Sequence, residues 1–234
     1  MAGRGKKPNS VREPTPREVA EELVRDTAAA LAGPFGPLVR KLWEAVRPGY
    51  ERRHRSWLND LAKEIDNLKE RPEFQPDQLA KNEMFQTALW TAAQAAIRNH
   101  QEEKREYLRN AVLNSAVPGD LEESKQLVFL QLVDRLTALH IKVLVHFDNP
   151  GTYAKTRSPS EVDRQSLEQV CLDRFRGELD GVLLRIIISE AEREGLLQDR
   201  VTQHKYRSEE HSVRRTTDLG RDFVKYVTTK PSPD

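Results

Sequence analysis

Only one cysteine, Cys171, occurs in 234 residues. That excludes an intramolecular disulfide and a multi-thiolate metal centre. Its neighbours Val170 and Leu172 place it in an apolar helical pattern, as a buried packing residue. Aromatic residues make up only 6% of the chain. No apolar run approaches the ~20 residues that span a bilayer. The most apolar stretch near the start, Ala28 to Val39, is cut by Gly33, Pro34, Gly36 and Pro37. Met1 to Ser10 is basic but leads into polar sequence, so no secretory signal is read and the expected address is cytoplasmic. Excess charge of one sign is also lacking: 38 Lys and Arg against 37 Asp and Glu leave a net charge of +1. A protein that coats nucleic acid carries a clear basic surplus, so any such role rests on local patches.

Helical patterning is abundant, and 32% of residues are charged, as expected of long amphipathic helices. Residues 1–15 read as a disordered basic tail, followed by an α-helical region over 16–135. Thr15 caps a first helix running to Ala32, with Pro16 in its first turn. A second helix spans Leu38 to Glu70, with a bend at Pro48-Gly49. Trp57, Leu58, Leu61, Ile65 and Leu68 form its apolar stripe. Asp77 caps a third helix carrying Phe85, Leu89, Trp90, Ala93 and Ala96, which continues through His100 to Ala116. Within it, Glu102 to Glu106 reads as a solvated charged face. Leu127 to Val145 is the most apolar segment and is expected at the centre, with Thr137 able to cap a new helix inside it. No strand pair is expected in the first 150 residues.

From Leu136 onward the order changes. A short helix ends at Asn149-Pro150-Gly151. Another starts at Ser158-Pro159-Ser160-Glu161 and runs to Phe175. A third covers Val182 to Glu194 and stops at Gly195, which can take the left-handed conformation. Leu196-Leu197 turns the chain back to the core, residues 198–215 suit a β-hairpin, and Thr217 caps a final helix with Leu219, Phe223, Val224 and Val227. Glu194-Gly195-Leu196-Leu197 and Thr217-Asp218-Leu219-Gly220 resemble the winged-helix modules that end many bacterial regulators. The resemblance implies a module over 136–228, helical with a small β wing, followed by a disordered tail at 229–234. The whole layout is also similar to the Abi-alpha-type proteins, helical bacterial proteins linked to abortive infection of phage. That likeness lies in Gly33-Pro34 to Trp57, Phe129-Leu130 through Leu136-Thr137, and the two C-terminal segments.

Candidate sites are few. In a winged-helix regulator, Lys205, Arg207, Arg214 and Arg215 would touch phosphate, although Glu209 and Glu210 interrupt them. The recognition helix, Gly181 to Gly195, is so apolar along Val182, Leu183, Leu184, Ile186, Ile187 and Ile188 that burial on two sides is expected rather than a DNA groove. A second cluster, Arg40, Lys41, Arg47, Arg52, Arg53 and Arg55, lies among Trp43, Tyr50 and Trp57. It suits an acidic partner, a phosphate backbone or an anionic surface, or simply the solvent side of an amphipathic helix. Arg135 and His140 match the Arg-to-His spacing of HEPN-type helical ribonucleases, but Leu136 stands where a polar residue is usual. His140, His146 and Asp148 lie near one helix end without metal-ligand spacing. The expected reading is a mainly α, non-enzymatic bacterial interaction protein with no cofactor or metal, a protein partner and a plausible place in anti-phage defence. The alternatives are a winged-helix DNA-binding regulator and, behind it, a ribonuclease using Arg135 and His140.

Overall fold

A computed structural model describes residues 36–68, 79, 81–117, 121–151, 166–198 and 213–231. The described residues form eight helices: α1 Gly36–Leu68, α2 Glu83–Arg98, α3 Glu102–Ala116, α4 Glu123–Arg135, α5 Ala138–Asp148, α6 Leu167–Arg174, α7 Gly181–Arg193 and α8 Asp218–Thr228. None of them is long and apolar enough to cross a membrane. The chain divides into two compact units, 1–51 and 52–234, and α1 runs through the division. In the first unit Pro48 lies within α1 and costs it one backbone hydrogen bond. Arg47 pairs with Glu51 one turn on, at 2.8 Å.

The second unit is built around α3, which packs against α2, α4 and α8. Ala88, Ala92, Ala95 and Ala96 bury one side of α2, and small side chains let the helix backbones approach closely. Trp57, Leu61 and Leu68 are buried along α1, as their spacing predicts, while Leu58 is exposed. The Trp57 indole donates to the Arg105 carbonyl at 3.0 Å. Trp90, expected in the core, is 51% exposed because it lies opposite the alanine face.

Two sequence expectations are corrected here. The helix read as continuous through His100 breaks at Asn99–Gln101: Asn99 is extended, and its side chain donates to the Ala95 carbonyl at 2.9 Å. A polar side chain that returns to its own backbone offers an alternative to the next helical bond and ends α2 there. The second correction concerns the charged run 102–106. Lys104 is not solvated but only 2% exposed. Its ammonium donates to the carbonyls of Val133 and Leu136, at the carbonyl end of α4. The last carbonyls of a helix have no acceptor role inside it and need outside donors. Asn110 and Asn114 do the same for α8. Asn110 Nδ2 donates to Val227 at 2.9 Å, and Asn114 Nδ2 reaches Tyr226 and Thr229 at 2.8 Å each. One helix thus closes the ends of two others. Thr229 is held by this bond and Lys230 pairs with Glu64 at 2.6 Å, so the chain assigned to a tail is fixed as far as these residues.

The expected caps in the C-terminal half are present. Thr137 Oγ1 accepts from His140 N at the start of α5, and Thr217 Oγ1 accepts from Gly220 N at the start of α8. The helix start placed at Ser158–Ser160 lies outside the described residues, as do the basic tail 1–15, the first helix and the Asp77 cap. Ser166 caps the described part of α6. The described residues contain no strand. A single antiparallel bridge joins Leu197 and Thr216, flanked by Gln198 N to Arg215 O at 2.9 Å and Thr217 N to Leu196 O at 3.1 Å.

Candidate functional site

α7 is the element that departs furthest from expectation. Asp180 starts it by accepting from the backbone N–H groups of Val182 and Leu183 at 2.9 and 2.8 Å. Leu184, Ile187, Ile188 and Ala191 bury one face against α5 and α6. The sequence suggested burial on two sides, but Val182 is 62% and Ile186 49% exposed. Arg185, Ser189 and Arg193 share that outward side. The outer face of α7 is therefore an apolar pair one turn apart, with Arg185 beside it and Arg193 two turns beyond Ile186 on the same side. Arg185 leans on Glu168 at 3.1 Å, and Arg193 lies 3.6 Å from Glu194.

The end of α7 is held tightly. Gly195 takes a φ of 69°, a backbone state other residues enter only with strain. Leu196 and Leu197 then enter the core. The Thr217 hydroxyl donates to the Gly195 carbonyl, and a Cβ on Gly220 would run into the Leu196 carbonyl oxygen. The two short segments that carried the family resemblance thus meet in space and lock α7 to α8.

Several of the basic residues singled out in the sequence are already engaged with neighbours. Lys205 and Arg207 lie outside the described residues, as do the side chains of Arg40 and Lys41. Arg214 pairs with Asp218 at 3.1 Å. Arg215 is half-buried, and its backbone bridges Phe147 and Gln198. Arg47 is taken by Glu51, and Arg53 turns inward to the Ile97 carbonyl at 3.4 Å. Arg52 and Arg55 are exposed.

The residues of the ribonuclease spacing lie at the joint between α4 and α5, and both are tied to α7. Arg135 pairs with Glu194 at 2.7 Å, and that bond holds the Glu194 carboxyl below the usual range. His140 Nε2 lies 2.9 Å from Glu190 Oε2, and its Nδ1 lies 2.7 Å from Thr137 Oγ1. On the far side of the same joint, burial pulls the Lys104 ammonium down to about 8. The joint is therefore braced from α3 and from α7. Nothing in the sequence marked Glu190 and Glu194 as its partners, because they follow it by some fifty residues. Lys104 lies one turn before Leu108 on the buried stripe, but its place in a charged run hides it.

The remaining candidates have other employment. His146 is fully buried, accepts from Arg174 Nη1 at 2.9 Å through Nδ1, and is pulled down to about 4 by burial and by that neighbouring cation. Asp148 accepts from the Thr216 hydroxyl at 2.6 Å. Cys171 is fully buried and its thiol is pushed up to about 12, which makes it unreactive at neutral pH. Among the described residues no cluster of His, Cys, Asp and Glu could hold a metal ion. Comparison with protein families, with characterised proteins and with solved structures finds no match for this chain.

Proposed function

We propose that the chain is a bacterial interaction protein whose C-terminal part is a winged-helix-like contact module, with α7 as its contact helix. The observation that carries this reading is the outer face of α7. Val182 and Ile186 stand in solvent on a helix whose opposite face is fully packed. Exposed apolar pairs flanked by charge are a common make-up of protein contact surfaces. The winged-helix reading is supported by the order α5, α6, α7, bridge and α8, by the left-handed Gly195, and by the antiparallel pairing that brackets residues 199–212. The place in phage defence rests on the resemblance to Abi-alpha-type proteins.

The test is expression in a bacterial host challenged with a panel of phages. The intact chain lowers plaque formation by at least one phage. Val182→Glu with Ile186→Glu, both at exposed positions, leaves the fold intact and abolishes protection. A panel that plates equally well with and without the intact chain removes the defence role. Full protection by the double variant removes α7 as the contact.

A DNA-binding regulator is the second reading, favoured by the same helix order and by Arg185 and Arg193, 61% and 69% exposed. It requires duplex binding that weakens steeply with salt and is lost in Arg185→Glu with Arg193→Glu. A ribonuclease is less well supported by the joint. Glu190 and Glu194 place two carboxylates against Arg135 and His140, where an RNA phosphate would have to sit.

A further inference from the structure

We propose that Thr137, His140 and Glu190 form a base relay that makes the Thr137 hydroxyl an acceptor for acyl groups from activated carboxylic esters. The proposal does not depend on the contact role of α7. Three side chains from two helices and their joint stand in line. The Thr137 oxygen is 2.7 Å from His140 Nδ1, and His140 Nε2 is 2.9 Å from Glu190 Oε2. A nucleophile within hydrogen-bond reach of a base that a third group orients is the signature of an activated hydroxyl, and it is recognised by geometry and not by residue order.

The hydrogen-bond pattern assigns the protons. His140 N donates to Thr137 Oγ1 at 3.4 Å, and in the neutral ring that donates Nε2–H to Glu190 the hydroxyl is left to donate to Nδ1. Nδ1 is then the bare nitrogen, and Nε2 carries the proton donated to Glu190. In the neutral ring, the tautomer with its proton on Nε2 satisfies both bonds. Helix capping needs only the oxygen as acceptor; the donated proton and the carboxylate behind the imidazole are surplus to it. Exposure is also suitable. Thr137 is exposed, His140 is buried with 9% of its surface exposed, and Glu190 is half-buried. A reagent in solvent meets the hydroxyl, while the base behind it is shielded from water. The positive end of α5 lies at the same point and favours the oxyanion that forms on attack.

The chemistry balances within these residues. Thr137 Oγ1 bonds to the ester carbonyl carbon as its proton passes to His140 Nδ1. The carbon–oxygen bond to the leaving group breaks, and the leaving alkoxide takes that proton. Water then gives a proton to Nδ1, its oxygen attacks the acyl carbon, and the proton returns to Thr137 as the acid departs. Glu190 stays ionised throughout and acts as a positioning residue.

The test treats the full chain with p-nitrophenyl acetate and, separately, with an alkyl fluorophosphonate, and maps adducts by peptide mass spectrometry. The intact chain forms an adduct on Thr137 with both reagents, and Thr137→Ser keeps it. His140→Gln slows it about 100-fold, within the usual range for loss of a general base. Glu190→Gln slows it by less than His140→Gln does, and Glu190→Asp recovers part of the rate. Melting curves confirm that each variant is folded; if Thr137→Ala is not, Thr137→Ser, which keeps the cap, and Glu190→Gln decide. Absence of an adduct on Thr137 in the intact chain overturns the proposal, and so does an adduct whose rate His140→Gln leaves unchanged.

Discussion

α3 and α7 break the same rule in opposite directions. α3 takes Lys104 and Asn110 into the interior, while α7 sets Val182 and Ile186 in solvent. On α3 each of the buried side chains Lys104 and Asn110 serves a purpose that can be named. It donates to the carbonyl end of α4 or α8, and a buried donor is tolerated when it meets an acceptor. On α7 the exposed apolar side chains have no such internal use. A misplaced polar residue with a partner is therefore architecture, and a misplaced apolar residue without one is where an external contact is to be sought.

The largest expected effect comes from the lock that holds α7 in place. Gly220→Val forces a side chain into the Leu196 carbonyl and lowers stability by about 3 kcal/mol or more, read as a fall in urea midpoint. Asn114→Ala follows. It removes one donor from Tyr226, Thr229 and Asn110, and costs about 2 kcal/mol by the same measurement.

The ionisable groups come next. His146 is held at about 4, below the ordinary imidazole value of 6.5. The unfolded chain therefore binds more protons than the folded one between those values, and stability falls as pH drops through that window. The full loss is about 3 kcal/mol, and His146→Phe removes this share of the acid sensitivity. Lys104 works at the other end of the scale. Its folded value of about 8 lies below 10.5, so its contribution to stability rises with pH between the two. The difference between the intact chain and Lys104→Met, followed from pH 7 to 11, shows that rise. The smallest effect belongs to α7. Val182→Glu with Ile186→Glu shifts stability by no more than about 0.5 kcal/mol. A large loss there would mean the face is packed, and the contrast with α3 would fail.

Local signals were legible in the sequence. Gly195, Thr137 and Thr217 stand where their cap chemistry places them, and the stripe through Trp57 and Leu61 is buried. These features depend on a few neighbouring residues and so can be read along the chain. The misses share a different cause. Whether α7 buries one face or two depends on how many elements cover it, and period alone does not report that. Lys104 reads as solvent-facing within a charged run until the open end of α4 is known to lie against it. Of the candidate sites, the sequence named Arg135 and His140 but not the carboxylates that occupy them, since Glu190 and Glu194 reach the joint only through tertiary packing. The basic residues were chosen by proximity in the chain, which does not report their partners: Arg53 goes inward, and Arg47 and Arg214 go to acidic neighbours.

The bridge between Leu197 and Thr216 has a practical consequence. Gln198 and Arg215 are bonded to each other, and Thr217 is bonded to Leu196, so the chain leaves this point and returns to it whatever lies between. For a segment whose ends are already clipped together, each doubling of length adds only about 0.6 kcal/mol of closure entropy. A fluorescent reporter or an affinity handle spliced between Gln198 and Val213 would leave from and return to this clip.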